Sequence, residues 1–262
     1  MTRIAKGLLA ALRPKWPVPL SVHQYGPGPR DSANSKIGGT VESTSFDEWC
    51  TQEISDRTSE HVSCLAKGLF EFGLGAEESG TKWLRGPVYA LLTIEEDWFY
   101  RWTNASSDMA IIQEIVDVLA GDDHCYQAIV HPDYRSCLNW GSHYHESPLM
   151  PMLFGACVEH TEWMACGAER ESRLRCQQWG NYLGPALASR LPKHLDKQYL
   201  SLETEDFGVG TQVAKRYPNG GLFLTASGDP LEALEEHPDQ TDIPLIRNAV
   251  WLRGQYRKAG LL

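Results

Sequence analysis

The sequence predicts an α+β fold: a single domain in which a mixed or antiparallel sheet has helices packed on it. Three observations point there. Asn219-Gly220 lies between two extended runs, 211–217 and 222–225. Asn-Gly in that setting marks a β-hairpin, because a type I′ turn needs positive φ at both central positions. Val88-Tyr89-Ala90-Leu91-Leu92-Thr93-Ile94 is rich in β-formers and reads as a central strand. Apolar residues spaced by three or four recur over 45–69 and 109–119, which is helical periodicity.

The totals narrow the class. A chain of 262 residues can build one large domain, or two small ones, with a real core. Its nine tryptophans need apolar cover and partners for their indole N–H groups, which a disordered chain does not supply. The 24 basic against 34 acidic residues leave a net charge of −10, which repels nucleic acid and suits a basic partner. Seven cysteines contain no C-x-x-C pair. They read as buried reduced thiols of a cytoplasmic protein. No apolar run approaches the roughly 20 residues that a membrane span needs.

From the start, residues 1–35 read as a proline-rich arm, with five prolines between Pro14 and Pro29 removing backbone donors. The basic opening (Arg3, Lys6, Arg13, Lys15) also suits an amphipathic targeting segment, though a short helix is the plainer reading. The domain proper then runs over 36–262. Ile37-Gly38-Gly39-Thr40-Val41 reads as its first strand. Ser45 with Glu48 three residues on has capping-box spacing, and opens a helix fading near Gly68 or Gly73. His61 on its stripe reads as a packed histidine.

After Val88–Ile94, the stretch 98–102 reads as a returning aromatic strand. Ser107 caps a helix stopped by Gly121. Tyr126-Gln127-Ala128-Ile129-Val130 is a short strand, and 136–151 a long loop. The run 152–166 fits either a helix or a buried strand, and 169–175 a loop or helix start. Trp179-Gly180-Asn181-Tyr182-Leu183-Gly184 reads as the start of a helix that continues to Leu191, with Pro185 in an early turn. Tyr199-Leu200-Ser201-Leu202 reads as a strand. The hairpin follows, and then a last helix from Asp242 with Ile246, Ala249, Val250 and Leu252 as its apolar members.

Catalytic motifs are thin. His143-x-His145-Glu146, with His124, Cys125, His131 and Cys137 nearby, offers metal-ligating chemistry. The spacings match neither a zinc finger nor H-E-x-x-H, and a polar loop explains them as well. This region supports an alternative reading as a metal-dependent hydrolase. Glu95-Glu96-Asp97 at a strand end could hold magnesium, but no partner lysine or histidine is evident. Cys157 and His160 are close only in sequence, and Gly208-x-Gly210 is no phosphate cradle. Neither a catalytic residue nor a cofactor is expected, and a non-catalytic scaffold is a further alternative.

Charge is more informative. Eight acidic residues and only Arg101 fall between Glu95 and Asp123. Nine acidic residues fall between Glu203 and Asp242, with only Lys215 and Arg216 against them. Positive charge collects in the first 36 residues and from Arg247 to Lys258. An acidic, aromatic-bearing face suits capture of a basic protein surface, with charge steering the encounter and a buried ring supplying affinity. The same charge also serves a merely solvated surface. The candidate partner-binding residues are Glu95, Glu96, Asp97 and Trp98, with Glu203, Glu205 and Asp206 as a second patch.

Trp179-Gly180-Asn181-Tyr182-Leu183-Gly184, then Leu191-Pro192, then Tyr217-Pro218-Asn219-Gly220-Gly221-Leu222-Phe223-Leu224-Thr225 resembles the ending of a bacterial immunity-protein family of type VI secretion and related polymorphic toxin systems. Ile37-Gly38-Gly39 ahead of a long helix resembles the family's opening strand. The likeness covers about a third of the chain. The proline-rich arm and the 136–151 insertion depart from the pattern. The resemblance implies an α+β fold without catalysis, and tight binding that blocks a cognate effector toxin, often a nuclease. The acidic balance agrees with a basic nuclease surface.

Overall fold

The computed structural model describes residues 7, 20–25, 35–41, 61–66, 70–76, 88–94, 108–122, 124–130, 167–202, 212–227 and 244–262. The fold is α+β. Where the sequence suggested one domain over 36–262, the chain divides into two compact units, Met1–Val118 and Leu119–Leu262.

The first unit holds a five-stranded antiparallel sheet. Its strands are β1 (Leu20–Tyr25), β2 (Ser35–Val41), β3 (His61–Ala66), β4 (Phe70–Ala76) and β5 (Val88–Ile94), in the order β2-β1-β3-β4-β5. The arm expected over 1–35 therefore contains a strand. Leu20–Tyr25 is the stretch between Pro19 and Pro27, free of proline, and can pair on both sides. The expected strand at 37–41 is present as β2. His23 pairs with Ile37 and Ser21 with Thr40, so Gly38 and Gly39 together oppose Val22 in a bulge.

The helix expected from Ser45 gives way to strand by His61, and residues 45–60 lie outside the described residues. The expected helical spacing runs through His61, Val62 and Leu65, which belong to β3. Two signals favoured a hairpin: the alternation Phe70-Glu71-Phe72-Gly73-Leu74-Gly75, and Gly68 in a connection of only 67–69. The strand at 88–94 is as expected, whereas 98–102 lies outside the described residues. Helix α1 (Asp108–Ala120) follows the predicted capping position and ends at Gly121. Ile112 and Val116, one turn apart, are buried.

The second unit holds β6 (Gln127–Val130), β7 (Gly180–Leu183), β8 (Ala214–Arg216) and β9 (Leu222–Thr225), antiparallel throughout in the order β6-β7-β9-β8. A short 3-10 helix covers Gly167–Ser172. Helices α2 (Pro185–Ala188), α3 (Leu195–Leu200) and α4 (Pro244–Lys258) complete the unit.

Two expectations fail here. Trp179 to Gly184 is not a helix start but β7, an inner strand buried along its length. A four-residue strand buried along its length carries no period of its own, and Pro185 at the first helical position shows where helix begins. Tyr199 to Leu202 is not a strand. Tyr199 lies four residues after Leu195, both fully buried on one face of α3, while Leu200 is 39% exposed.

The hairpin is present, but its turn differs. Gly220 N donates to Tyr217 O and Tyr217 N to Gly221 O, both 2.9 Å, so Pro218 and Asn219 are the central residues. Pro218 cannot take the positive φ of a type I′ turn. Gly220, at φ 92°, supplies the left-handed residue after the turn. The last helix matches its expectation, except that Val250 is 55% exposed and faces away from the core.

The core lies between one face of this sheet and the helices. Leu183, Leu222 and Leu224 meet Leu187, Tyr199 and Tyr256 there. Gly184 closes β7 against β6, and a Cβ on it would lie 2.7 Å from Cys125 O and 2.8 Å from Tyr126 Cα. Gly254 in α4 has nothing within 4 Å of the same position. The two glycines should thus respond oppositely in urea titration. Gly184→Ala should lose about 2 kcal/mol or more, since backbone must move. Gly254→Ala should gain about 0.5–1 kcal/mol from helix propensity alone.

Candidate functional site

Two of the stretches that carry the family resemblance, 179–184 and 217–225, are neighbours in space. In β7 and β9, Gly180 pairs with Thr225, Asn181 with Leu224, Tyr182 with Phe223 and Leu183 with Leu222. Their glycines make room for rings. A Cβ on Gly180 would lie 3.3 Å from the Phe223 ring, and one on Gly221 2.5 Å from Tyr182 Oη. Tyr182 meets Tyr217 edge-on, with centroids 5.6 Å apart. Asn219 Nδ2 donates to Ala120 O at 2.7 Å, and its Oδ1 accepts from Gly221 N at 2.9 Å. The turn is thereby fixed to the end of α1.

At the other end of these strands lies a buried set of neutral polar groups. Trp179 Nε1 donates to Ser227 Oγ at 2.9 Å. Tyr199 Oη donates to Thr225 O at 2.6 Å, and Gln212 Nε2 donates to Tyr199 O at 2.9 Å. Asn248 Nδ2 on α4 donates to Gln212 Oε1 and to Ala226 O, both 3.1 Å. Gln177 Nε2 donates to Ala249 O at 2.7 Å. These bonds tie α4 and α3 to the strand ends. Amides and hydroxyls of this kind position backbone but do not exchange protons near neutral pH. The sequence reading missed this set, because buried Gln and Asn look like surface residues until their partners are known.

The described residues include few of the candidate site residues. Glu95, Glu96, Asp97 and Trp98 follow directly after β5 in the chain and lie outside the described residues, as do Glu203, Glu205 and Asp206. So do His131, Cys137, His143, His145, Glu146, Cys157, His160, Gly208 and Gly210. His124 is exposed, with its backbone N–H on Asp122 Oδ1 at 2.9 Å. Among the described residues, no three His, Cys, Asp or Glu side chains are placed to hold a metal.

Cys125 is a free thiol whose Sγ lies 3.7 Å from Gln127 O. Burial, and then the Asp122 carboxylate, push it up to about 12. That is an inert packed thiol, not a nucleophile. Cys176 corrects the expectation of reduced thiols throughout: it is buried and disulfide-bonded.

Compared with protein-family models, curated proteins and solved structures, the chain matches none. Among the described residues no helix is long and apolar enough to cross a membrane.

Two measurements follow from these groups. Tyr199 and Tyr256, like Cys125, are raised by burial. All three stay neutral in both folded and unfolded chains at neutral pH. Above the thiol's ordinary value of 9.0, the unfolded chain releases a proton that the folded chain keeps. Stability should therefore be flat in this contribution below about pH 9 and fall as pH rises toward 12, and Cys125→Ser should flatten the first part of that fall in urea titrations. Alkylation after denaturation without reductant should leave Cys176 unlabelled, and prior reduction should expose it.

Proposed function

We propose that this chain is an immunity protein, which binds a cognate secreted effector toxin and neutralises it by occlusion. The observation that carries the reading is the pairing of β7 with β9. The two motif-bearing stretches, separated by more than thirty residues in sequence, meet strand to strand with their glycines fitted to rings. Shared residues of that kind specify a fold, and the fold class is the one the family resemblance implies. The function comes with the resemblance.

In this reading the protein is not an enzyme and needs no cofactor. Its partner is a protein, and a nuclease suits the net charge of −10. Glu95, Glu96, Asp97 and Trp98 form one contact patch, and Glu203, Glu205 and Asp206 the other. Carboxylates on both would steer a basic surface inward, and the indole of Trp98 would supply a buried anchor. The protein would act in the cytoplasm. Because Cys176 is disulfide-bonded, the thiol count of protein taken directly from cells is the check on that compartment.

The deciding experiment pairs this chain with the toxin encoded beside it. Tight binding and rescue of growth are expected. The triple reversal Glu95→Lys, Glu96→Lys, Asp97→Lys should slow association about tenfold or more at low salt and flatten its salt dependence. Trp98→Ala should raise the dissociation rate by an amount equivalent to about 2 kcal/mol. Absence of both binding and rescue would remove this reading in favour of metal analysis and an enzyme screen.

A further inference from the structure

Asn219-Gly220 is the one Asn-Gly pair in the sequence, and the pair carries its own chemistry. The backbone nitrogen that follows an asparagine can attack the side-chain amide carbon. Glycine, lacking a side chain, leaves that nitrogen open to the step. Asparagine is thermolabile for this reason. Pro218 and Gly220, on either side of Asn219, are exposed, so water reaches the turn.

The fold holds both reacting groups back. The nucleophile is Gly220 N, whose N–H is donated to Tyr217 O at 2.9 Å. Attack requires that proton to leave, and a carbonyl that accepts it opposes its loss. The electrophile is Asn219 Cγ, whose amide is fixed from two sides. Nδ2 donates to Ala120 O at 2.7 Å, and Oδ1 accepts from Gly221 N at 2.9 Å. Swinging Cγ onto Gly220 N breaks both bonds. The backbone is restrained as well, by Tyr217 N donating to Gly221 O at 2.9 Å and by the fixed φ of Pro218.

We propose that Asn219 is a guarded deamidation site, withheld from reaction in the closed turn and released when the turn opens. In the open turn Gly220 N loses its proton and bonds to Asn219 Cγ, and Nδ2 leaves as ammonia. Water then opens the cyclic imide, at one carbonyl to give aspartate and at the other to give isoaspartate. Water is the co-reactant, and no enzyme or cofactor enters. Neither product restores the turn. Aspartate still accepts from Gly221 N, but it has no proton for Ala120 O. Its charge also stands at the last residue of α1, where the helix already presents carbonyl oxygens. Isoaspartate runs the backbone through Cβ and Cγ, and the short bonds among Tyr217, Gly220 and Gly221 do not accommodate the longer path. The step is a one-way record of turn opening, and it stands whatever partner the chain binds.

The test incubates the full chain at mildly alkaline pH, folded and in urea, and follows the peptide across Asn219-Gly220 by mass spectrometry. Conversion to aspartate and isoaspartate is expected in both, about tenfold or more slower in the folded chain. Pro218→Gly, a change at an exposed position, frees the turn and should raise the folded rate severalfold. The effect of the product is read by amide exchange. Asn219→Asp should speed exchange at Tyr217 and Gly220 about tenfold, while Ala226 N, bonded to Trp179 O, stays protected. Equal rates in folded and unfolded chain, no conversion in either, an unmoved rate in Pro218→Gly, or turn amides as protected in Asn219→Asp as in the wild type would each overturn the proposal.

Discussion

Tyr182 and Phe223 are register partners in the middle of β7 and β9, and much of the second unit depends on that pairing. Large rings on adjacent central strands can lie close only if the residues around them are small. Gly180 and Gly221 meet that need, each lying against one of the two rings. On the opposite face of the same strands, Leu183, Leu222 and Leu224 begin the core that α2, α3 and α4 cover. One pair of short strands thus serves two apolar layers, which is why neither has an exposed residue.

Polar groups at the strand ends then decide how the helices sit. Asn248 on α4 donates to Ala226 O just past β9 and to the Gln212 side chain, and Gln177 before β7 donates to Ala249 O on α4. Buried backbone groups without partners are costly, so these amides select one docking of α4 over its rotated alternatives. Among the described residues, Gln177 Oε1, Asn248 Oδ1 and Tyr256 Oη make no hydrogen bond.

Some of this was legible in the sequence. The helices at 108–120 and 244–258, the β-former run at 88–94 and the hairpin around Asn219 announce themselves locally and appear where expected, whereas the helical spacing read from Ser45 runs into strand β3. Errors fell where local pattern and tertiary setting disagree. Trp179 to Gly184 was read as helix because its burial on both faces erases alternation. Tyr199 to Leu202 was read as strand because its fully buried tyrosine is a helix contact four residues from Leu195. The turn at Pro218 needed only the fixed φ of proline to be read correctly. The buried amides could not be found from sequence, since each is defined by a partner tens of residues away. Of the candidate site, the sequence offered charge and one aromatic residue, and charge alone does not say which face is used.

The way the sheet is threaded has a consequence for how this unit is made. β6 and β7 are about fifty residues apart in the chain, whereas β8 and β9 are joined by a tight turn. Leu174 N is satisfied by Leu261 O, and Leu252 and Tyr256 fill the core. A nascent chain leaving the ribosome can close the β8–β9 hairpin early, in microseconds by ordinary hairpin rates. It cannot bury Tyr199 or satisfy Leu174 until α4 has emerged. Folding of this half therefore waits on α4, with long-range closure setting its speed.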